Sequence, residues 1–235
     1  MNPSHKEVAD YYNKVWAGIE EKTRNKPNAR HFFILKNLKK AGLKKNSRVL
    51  EIGCGSASLT HMIAKTLTSG KIVGADISNE TIALNKKKYA GYNNMEFHVS
   101  DMTDFMPSEK FDFVVIPDVL EHIPAEEHPN IFRTIEKVTH DNSTLLINNP
   151  EPNLLAWYHK TRPETLQIID QPLHINYLSN LIYGNGFYIE SVSPYGISFD
   201  VPEYQNIVCR RKTSFEKMTQ NSKIRQVLVN AKSRL

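Results

Sequence analysis

Glu51 stands two residues before Gly53, and Gly55 follows two residues later, so a carboxylate guards a turn whose two glycines carry no Cβ. Such a backbone can bend sharply and let a ligand approach its amides closely. A turn that cradles a diphosphate presents bare amides at a helix N-terminus and a third glycine, as in G-x-G-x-x-G. Here that third position is Ser58, and the charge of Glu51 opposes phosphate. The pattern suits a nucleotide cofactor whose far end is cationic, seated against Glu51, Gly53, Cys54 and Gly55. Asp76 ends the next apolar run, roughly twenty residues on, where a carboxylate can accept from both hydroxyls of a ribose. Asp101 follows a third apolar run and can accept from the exocyclic amine of an adenine, with Ile77 and Met102 sandwiching the ring.

These residues need a scaffold that ends strand after strand at one edge. The chain supplies short apolar runs at about 48–53, 71–76, 95–99, 111–116, 143–148, 187–194 and 205–211, with longer amphipathic stretches in most intervals. That alternation predicts a parallel sheet with helices on both faces. The helix after the glycine turn is expected over Ala57 to Leu67. The last two runs are joined without helical periodicity and should pair as an antiparallel hairpin. Open α/β sheets bind ligands at the carboxyl ends of their strands, which is where Glu51, Asp76 and Asp101 fall.

The order Glu51-x-Gly53-x-Gly55, Asp76, Asp101 and then Asp118-Val-Leu-Glu121-His122 resembles the motif series of the class I methyltransferases that use S-adenosylmethionine (SAM). The resemblance covers roughly residues 47–149, and the trailing hairpin extends it to about 211. It implies an α/β fold with a seven-stranded, mostly parallel sheet, an antiparallel C-terminal hairpin strand and helices on both faces. It also implies SAM as cofactor and S-adenosylhomocysteine (SAH) as product, with Asp118 among the cofactor residues. By the same likeness, Arg30 is similar in position to an arginine that pairs with the methionine carboxylate of SAM, and residues 1–46 form a helical lid with Tyr11, Tyr12, Trp16 and Ile19 as its apolar stripe. Residues 47–212 would then form the SAM-binding domain, with an insertion at about 150–172, and 213–235 a basic helix or tail. Ser58 in place of a third glycine and the missing helix after the sixth strand argue against a nicotinamide dehydrogenase.

Methyl transfer from a sulfonium is an in-line displacement in which a hydroxyl acceptor needs a general base, whereas an amine needs only an acceptor for its departing proton. His122 and His174 are the expected bases. The run Pro117-Asp118-Val-Leu-Glu121-His122 is neither the Asn/Asp-Pro-Pro-Tyr/Phe tetrapeptide of nucleobase-amine enzymes nor a Pro-Cys pair, which disfavours DNA. Asp118, Glu121, His122 and His174 as ligands of a divalent cation stay open as an alternative, as oxygen and imidazole ligands suit Mg or Mn. Trp157, Tyr158, His159 and Arg162 are expected to wall the acceptor pocket, with Tyr177, Tyr195 and Phe199 near its mouth. The activity expected is methylation of a hydroxyl on a small molecule or sugar in a biosynthetic pathway. A small amine, RNA, or a catalytically silent partner subunit of the same fold are the alternatives.

Composition bounds the rest. The chain has 235 residues, 40% hydrophobic and 23% charged, which is ordinary for one globular domain. Net charge is +5 with a pI near 9.0, yet the Lys36–Lys45 cluster alternates with apolar residues and reads as a solvated helix face, so RNA is disfavoured. Two distant cysteines, Cys54 and Cys209, point to a reducing compartment. No run reaches the roughly 18 apolar residues of a membrane span, and the expected location is cytoplasmic, with a homodimer left open. SAM or SAH should raise the melting temperature while NAD does not, and Asp76→Ala should lose most of that shift. A melt protected by NAD alone would overturn the cofactor assignment.

Overall fold

The computed structural model describes residues 5–18, 26–103 and 105–212. Ile19, the side chain of Trp16 and the basic stretch from Thr213 lie outside the described residues. Two helices, α1 (His5–Gly18) and α2 (Ala29–Lys40), precede β1 (Arg48–Ile52). Then follow α3 (Ser58–Ala64), β2 (Lys71–Asp76), α4 (Asn79–Lys88), β3 (Met95–Val99), β4 (Phe111–Pro117), α5 (His128–Lys137), β5 (Thr139–Pro150), α6 (Pro152–Thr161), α7 (Ile175–Gly184), β6 (Phe187–Tyr195) and β7 (Tyr204–Arg211). The strands form one sheet in the order β3-β2-β1-β4-β5-β7-β6. β1 to β5 run parallel, and β7 is antiparallel to both of its neighbours, β5 and β6, as the hairpin pattern predicted.

Strands that are covered on both faces read as near-continuous apolar runs, and the period of two then splits their side chains between two cores. Val49, Ile72, Val115 and Leu146 pack with Ile34 and Leu38 of α2 and Leu59 and Ile63 of α3. Their neighbours Leu50, Val73, Val114, Ile116 and Leu145 share the opposite cluster with Phe132 and Ile135 of α5 and Leu178 and Ile182 of α7. On α2, Ile34 and Leu38 are buried while Lys36, Lys39 and Lys40 are exposed, so that lysine cluster is a solvated face.

Two local outcomes differ from the sequence reading. α3 stops at Ala64 rather than Leu67, because the Asn94 amide donates to the carbonyls of Ala64 and Leu67 at 2.9 and 2.8 Å and draws the last turn into a loop. The sequence reads Asn28-Ala29-Arg30 as lying just ahead of the first helix that leads to the sheet, but Arg30 lies inside the first turn of α2, since Asn28 caps that helix through a reciprocal bond with His31. The 150–172 stretch holds α6, whose start is capped by Glu151, followed by a single 3-10 turn at Pro163–Thr165.

Left-handed backbone gathers at the carboxyl edge of the sheet. Gly53 and Gly55 (φ +72° and +47°) follow β1, Met102 (67°) follows β3, and Asp118 (53°) follows β4. Strained residues that persist in this way mark sites over-determined by their surroundings. A Cβ on Gly53 would lie 2.2 Å from Val119 Cγ2, so the loop after β4 packs directly against the turn after β1. Gly53→Ala should therefore cost about 2 kcal/mol and lower the melting temperature by roughly 4–8 °C. A variant that melts within a degree of the parent would refute the packing argument.

Candidate active site

A cavity of about 950 Å³ opens at this edge, between the strand ends, α1, and the segment that carries α6. Its floor is the turn from Glu51 to Gly55, together with Asp76, Ile77, Asp101 and Met102, so one chamber gathers the residues that the sequence had spread over three strand ends. The amides of Gly53 and Cys54 both donate to Ala75 O, at 2.8 and 3.0 Å, which folds the turn back over β2. Asp76 accepts from Gly55 N at 2.8 Å through one oxygen and from Ser78 N at 2.9 Å through the other. Each oxygen keeps a second lone pair for a hydroxyl donor. Asp101 takes its own Asx turn, accepting from the Thr103 amide and hydroxyl, with Met102 buried and Ile77 half-buried beside it.

Glu51 is only 1% exposed, and its Oε2 has no hydrogen-bond partner. Burial, reinforced by the neighbouring Asp76 carboxylate, pushes its pKa up to about 8. Asp76 is also raised by burial, against the pull of the Ser78 and Gly55 amides. Burial of Cys54, in the middle of the turn, raises its thiol and makes it a packing group. An isolated carboxylate in such a place is costly unless a cation meets it.

Arg30 and Asp118 form a 2.7 Å ion pair, and Asp118 also accepts from Asn148 Nδ2 at 2.9 Å. The guanidinium lies 5.1 Å from the Tyr204 ring centroid. Arg30 thus already holds a carboxylate of this chain, with further N–H donors of its fork left for a ligand. Burial raises Asp118 while Arg30 opposes it.

His122 Nδ1 is 2.8 Å from Ile169 O and must donate to it, so Nε2 carries the lone pair, and Gln167 Nε2 donates to it at 3.1 Å. Gln167 Oε1 in turn accepts from the Tyr12 hydroxyl at 3.0 Å, tying α1 across the chamber. Asp170 Oδ1 stands 3.5 Å from Nδ1. Glu121 is 1% exposed, neither of its oxygens has a hydrogen-bond partner among the described residues, and burial with the nearby Asp118 charge raises it well above the ordinary carboxyl range.

His174 is elsewhere. It is the exposed N-cap of α7, does not line the cavity, and contributes its backbone carbonyl to Tyr177 and Leu178. The expectation that it faces the cofactor mouth is corrected, because the chain turns at Leu173, which is buried in the core, and throws the next side chain outward. Among the described residues no three His, Cys, Asp or Glu side chains converge as a metal-binding group. Of the expected wall, Tyr158 and Arg162 line the cavity. Trp157 is exposed, His159 bonds Asp170 O, and Tyr195 stacks on Phe33 with centroids 3.7 Å apart. Tyr177 bonds His128, and Phe199 is exposed. Gln167 and Asp170 were not foreseen, and only a polar residue on each side of an Ile-Ile pair hinted at them.

Comparison with known proteins agrees with this geometry. Residues 43–193 match the family model described as methyltransferase domain. The chain belongs to that family, whose cofactor is SAM. Magnesium protoporphyrin IX methyltransferase (ChlM) from Synechocystis PCC 6803 with bound SAH superposes over 88% of this chain and 99% of its own, with TM-score 0.65 and 18% identity. The N-methyltransferase NodS from Bradyrhizobium japonicum WM9 in complex with SAH gives TM-score 0.70 at 13% identity over the same shares. Both show the class I methyltransferase fold. In sequence, 110 residues are 28% identical to the "Probable cobalt-precorrin-6B C(15)-methyltransferase (decarboxylating)" of Thermoplasma acidophilum, covering 45% of this chain and 52% of that one. A demethylmenaquinone methyltransferase of Staphylococcus carnosus is 29% identical over 89 residues, 37% of each chain. The chain spans about half the length of the first of these curated relatives and less of the second. Among the described residues no helix is long and apolar enough to cross a membrane.

The donor set suits SAM: a glycine turn, an anchored aspartate, and a buried carboxylate oxygen with no partner. Because the folded pKa of Glu51 is raised, its neutral form is favoured in the fold, and that stabilisation fades as pH rises from the unfolded value near 4.5 toward about 8. A cation seated against it should drive ionisation. SAM binding at pH 6.5 is expected to release a proton, visible as a buffer-dependent heat in calorimetry, and affinity should rise with pH by up to about tenfold per unit below pH 8. Glu51→Gln should remove both effects; a pH-independent affinity in the parent protein would exclude the pairing.

Proposed function

We propose that the protein transfers the methyl group of SAM to a proton-bearing heteroatom of a small molecule, with His122 accepting the proton. The observation that carries this reading is His122 itself, a cavity-lining imidazole whose Nδ1 is fixed on Ile169 O and whose Nε2 lone pair is turned to a donor. A base held in one tautomer by its far nitrogen is ready to take a proton at the near one. When bound, SAM supplies an electrophilic methyl on a sulfonium. Glu51, the turn from Gly53 to Gly55 and Arg30 would hold its amino-acid end. Asp76 would take the ribose, and Asp101, Ile77 and Met102 the adenine. Tyr12 and the α6 segment close the chamber from above, which excludes water and keeps acceptor and methyl in line.

The hydroxyl acceptor read from the sequence is consistent with a histidine base, and an amine uses the same base. Macromolecular acceptors fit less well, since α1 and α6 roof the chamber and Lys26 alone of the described lysines lines it. The test is incubation with methyl-labelled SAM and a small-molecule extract of the source cell. Label should enter a low-mass product, and His122→Asn should lower kcat by about 10²- to 10⁴-fold while SAM affinity stays within twofold. Full turnover by His122→Asn would remove the base from the mechanism.

A further inference from the structure

A further part of the cavity lining comes from the loop after β4 and the segment around Gln167, and its polar groups are unlike those of a site for a neutral or anionic acceptor. Glu121 projects there from the loop after β4, fully buried, with both carboxylate oxygens unpartnered and the nearest imidazole nitrogen, His122 Nε2, 3.8 Å away. Asp170 stands on the opposite side of His122, its side chain 9% exposed, one oxygen taken by the Gln167 amide at 3.0 Å. Tyr12 and Tyr158 add aromatic walls. Of the cationic residues of the lining, Arg30 is already paired with Asp118, and Arg162 is exposed and lies over the Trp157 ring at 5.6 Å. Along the whole lining, carboxylates outnumber cationic side chains eight to three, in a chain whose net charge is +5. Acids thus predominate in the chamber, and one of its three cations is already paired.

We infer that the acceptor is a small amine, received as its ammonium by Glu121 with Asp170 behind it. This rests on the methyltransferase reading above and names its substrate class. An ammonium brings three N–H donors to two bare oxygens, while a hydroxyl brings one and leaves the second oxygen buried and unmet. Phosphates and carboxylates meet like charge. The aromatic faces favour a cation over a neutral group of the same shape. The step balances as follows. The ammonium gives one proton to His122 Nε2 and becomes the free amine. Its lone pair forms the N–C bond as the C–S bond breaks, and that bond's electron pair stays on sulfur, leaving SAH. The product is a methylated ammonium, and the proton on His122 passes to solvent.

The experiment uses the full chain saturated with SAH and three matched probes: benzylamine, benzyl alcohol and benzoate. Calorimetry should show benzylamine binding at least tenfold more tightly than the alcohol, with benzoate weakest. Glu121→Gln and, separately, Asp170→Asn should each reduce that preference, while the affinity for SAH, which reports an intact fold, changes less than twofold. Equal affinity for amine and alcohol would overturn the inference, as would an unchanged preference in both variants. In parallel, the product labelled from methyl-SAM and cell extract should be retained on a cation exchanger at pH 7. Label in the neutral or anionic fraction would overturn the amine and leave the methyltransferase reading standing. Label in no fraction, with SAM bound, would overturn both.

Discussion

The constraint on which this molecule depends is the burial of carboxylates without counter-ions. Glu51 and Glu121 are each 1% exposed, and both carry oxygens that no group among the described residues satisfies. A charge withdrawn from water to that degree is unfavourable unless it is neutralised by a proton or met by a cation. Burial favours the first course for both groups and raises their affinity for protons. Asp118, on the same loop as Glu121, takes the second, through Arg30. Under the proposed reading, a cationic ligand would complete the electrostatics of the site.

Holding such groups in place requires a stiff edge. The loop after β4 carries Asp118, Glu121 and His122 through two 3-10 turns rather than a helix, and its carbonyls are tied down from behind. Fully buried His128 approaches Leu120 O at 2.9 Å and Ile123 O at 3.0 Å through Nε2, while Nδ1 meets the Tyr177 hydroxyl at 2.8 Å. Burial lowers the pKa of His128 and favours the neutral ring that this pattern requires. In front, Gln171 donates its backbone amide to Glu121 O, and Gln167 joins His122 to Tyr12 of α1. The reactive loop is thus clamped between the core helix α5 and the roof. The roof and the base share one hydrogen-bond chain, so a movement of α1 is felt at the imidazole.

Legibility in the sequence followed the range of the interactions. Strand runs and the glycine turn are local patterns, so Glu51, Asp76 and Asp101 fell at strand ends in the sequence as they do in space. The edge hairpin was equally plain, since Phe187–Tyr195 and Tyr204–Arg211 have no helix between them. What failed to show were partners set by tertiary contact. Asn94 ends α3 from 30 residues away, and Asp118 claims Arg30 across 88. Gln167 reaches His122 across 45. His174 misled because chain position near a pocket says nothing about which way a helix cap points. Glu121 was visible only as one member of a metal-ligand pattern, because burial without a partner is a property of the folded state alone.

The distribution of charge also bears on how the reaction would proceed. In a methyl transfer from a sulfonium, the positive charge leaves sulfur and must reappear, on the acceptor nitrogen or as a proton on the base. Bulk water would follow that displacement by reorienting, whereas a closed chamber must have its charges in position beforehand. Here one buried carboxylate stands at the glycine turn, beside the cationic end assigned to the cofactor, and another stands beside the base. Under the proposed reading, Asp170, 3.5 Å from the far nitrogen of the imidazole, would stabilise a proton taken by His122. A cation that moves between such stations remains solvated by fixed charge at both ends of its path. The strained backbone at Asp118 and the packing of Val119 on Gly53 then have a reason, since they set the distance between the two stations and hold it.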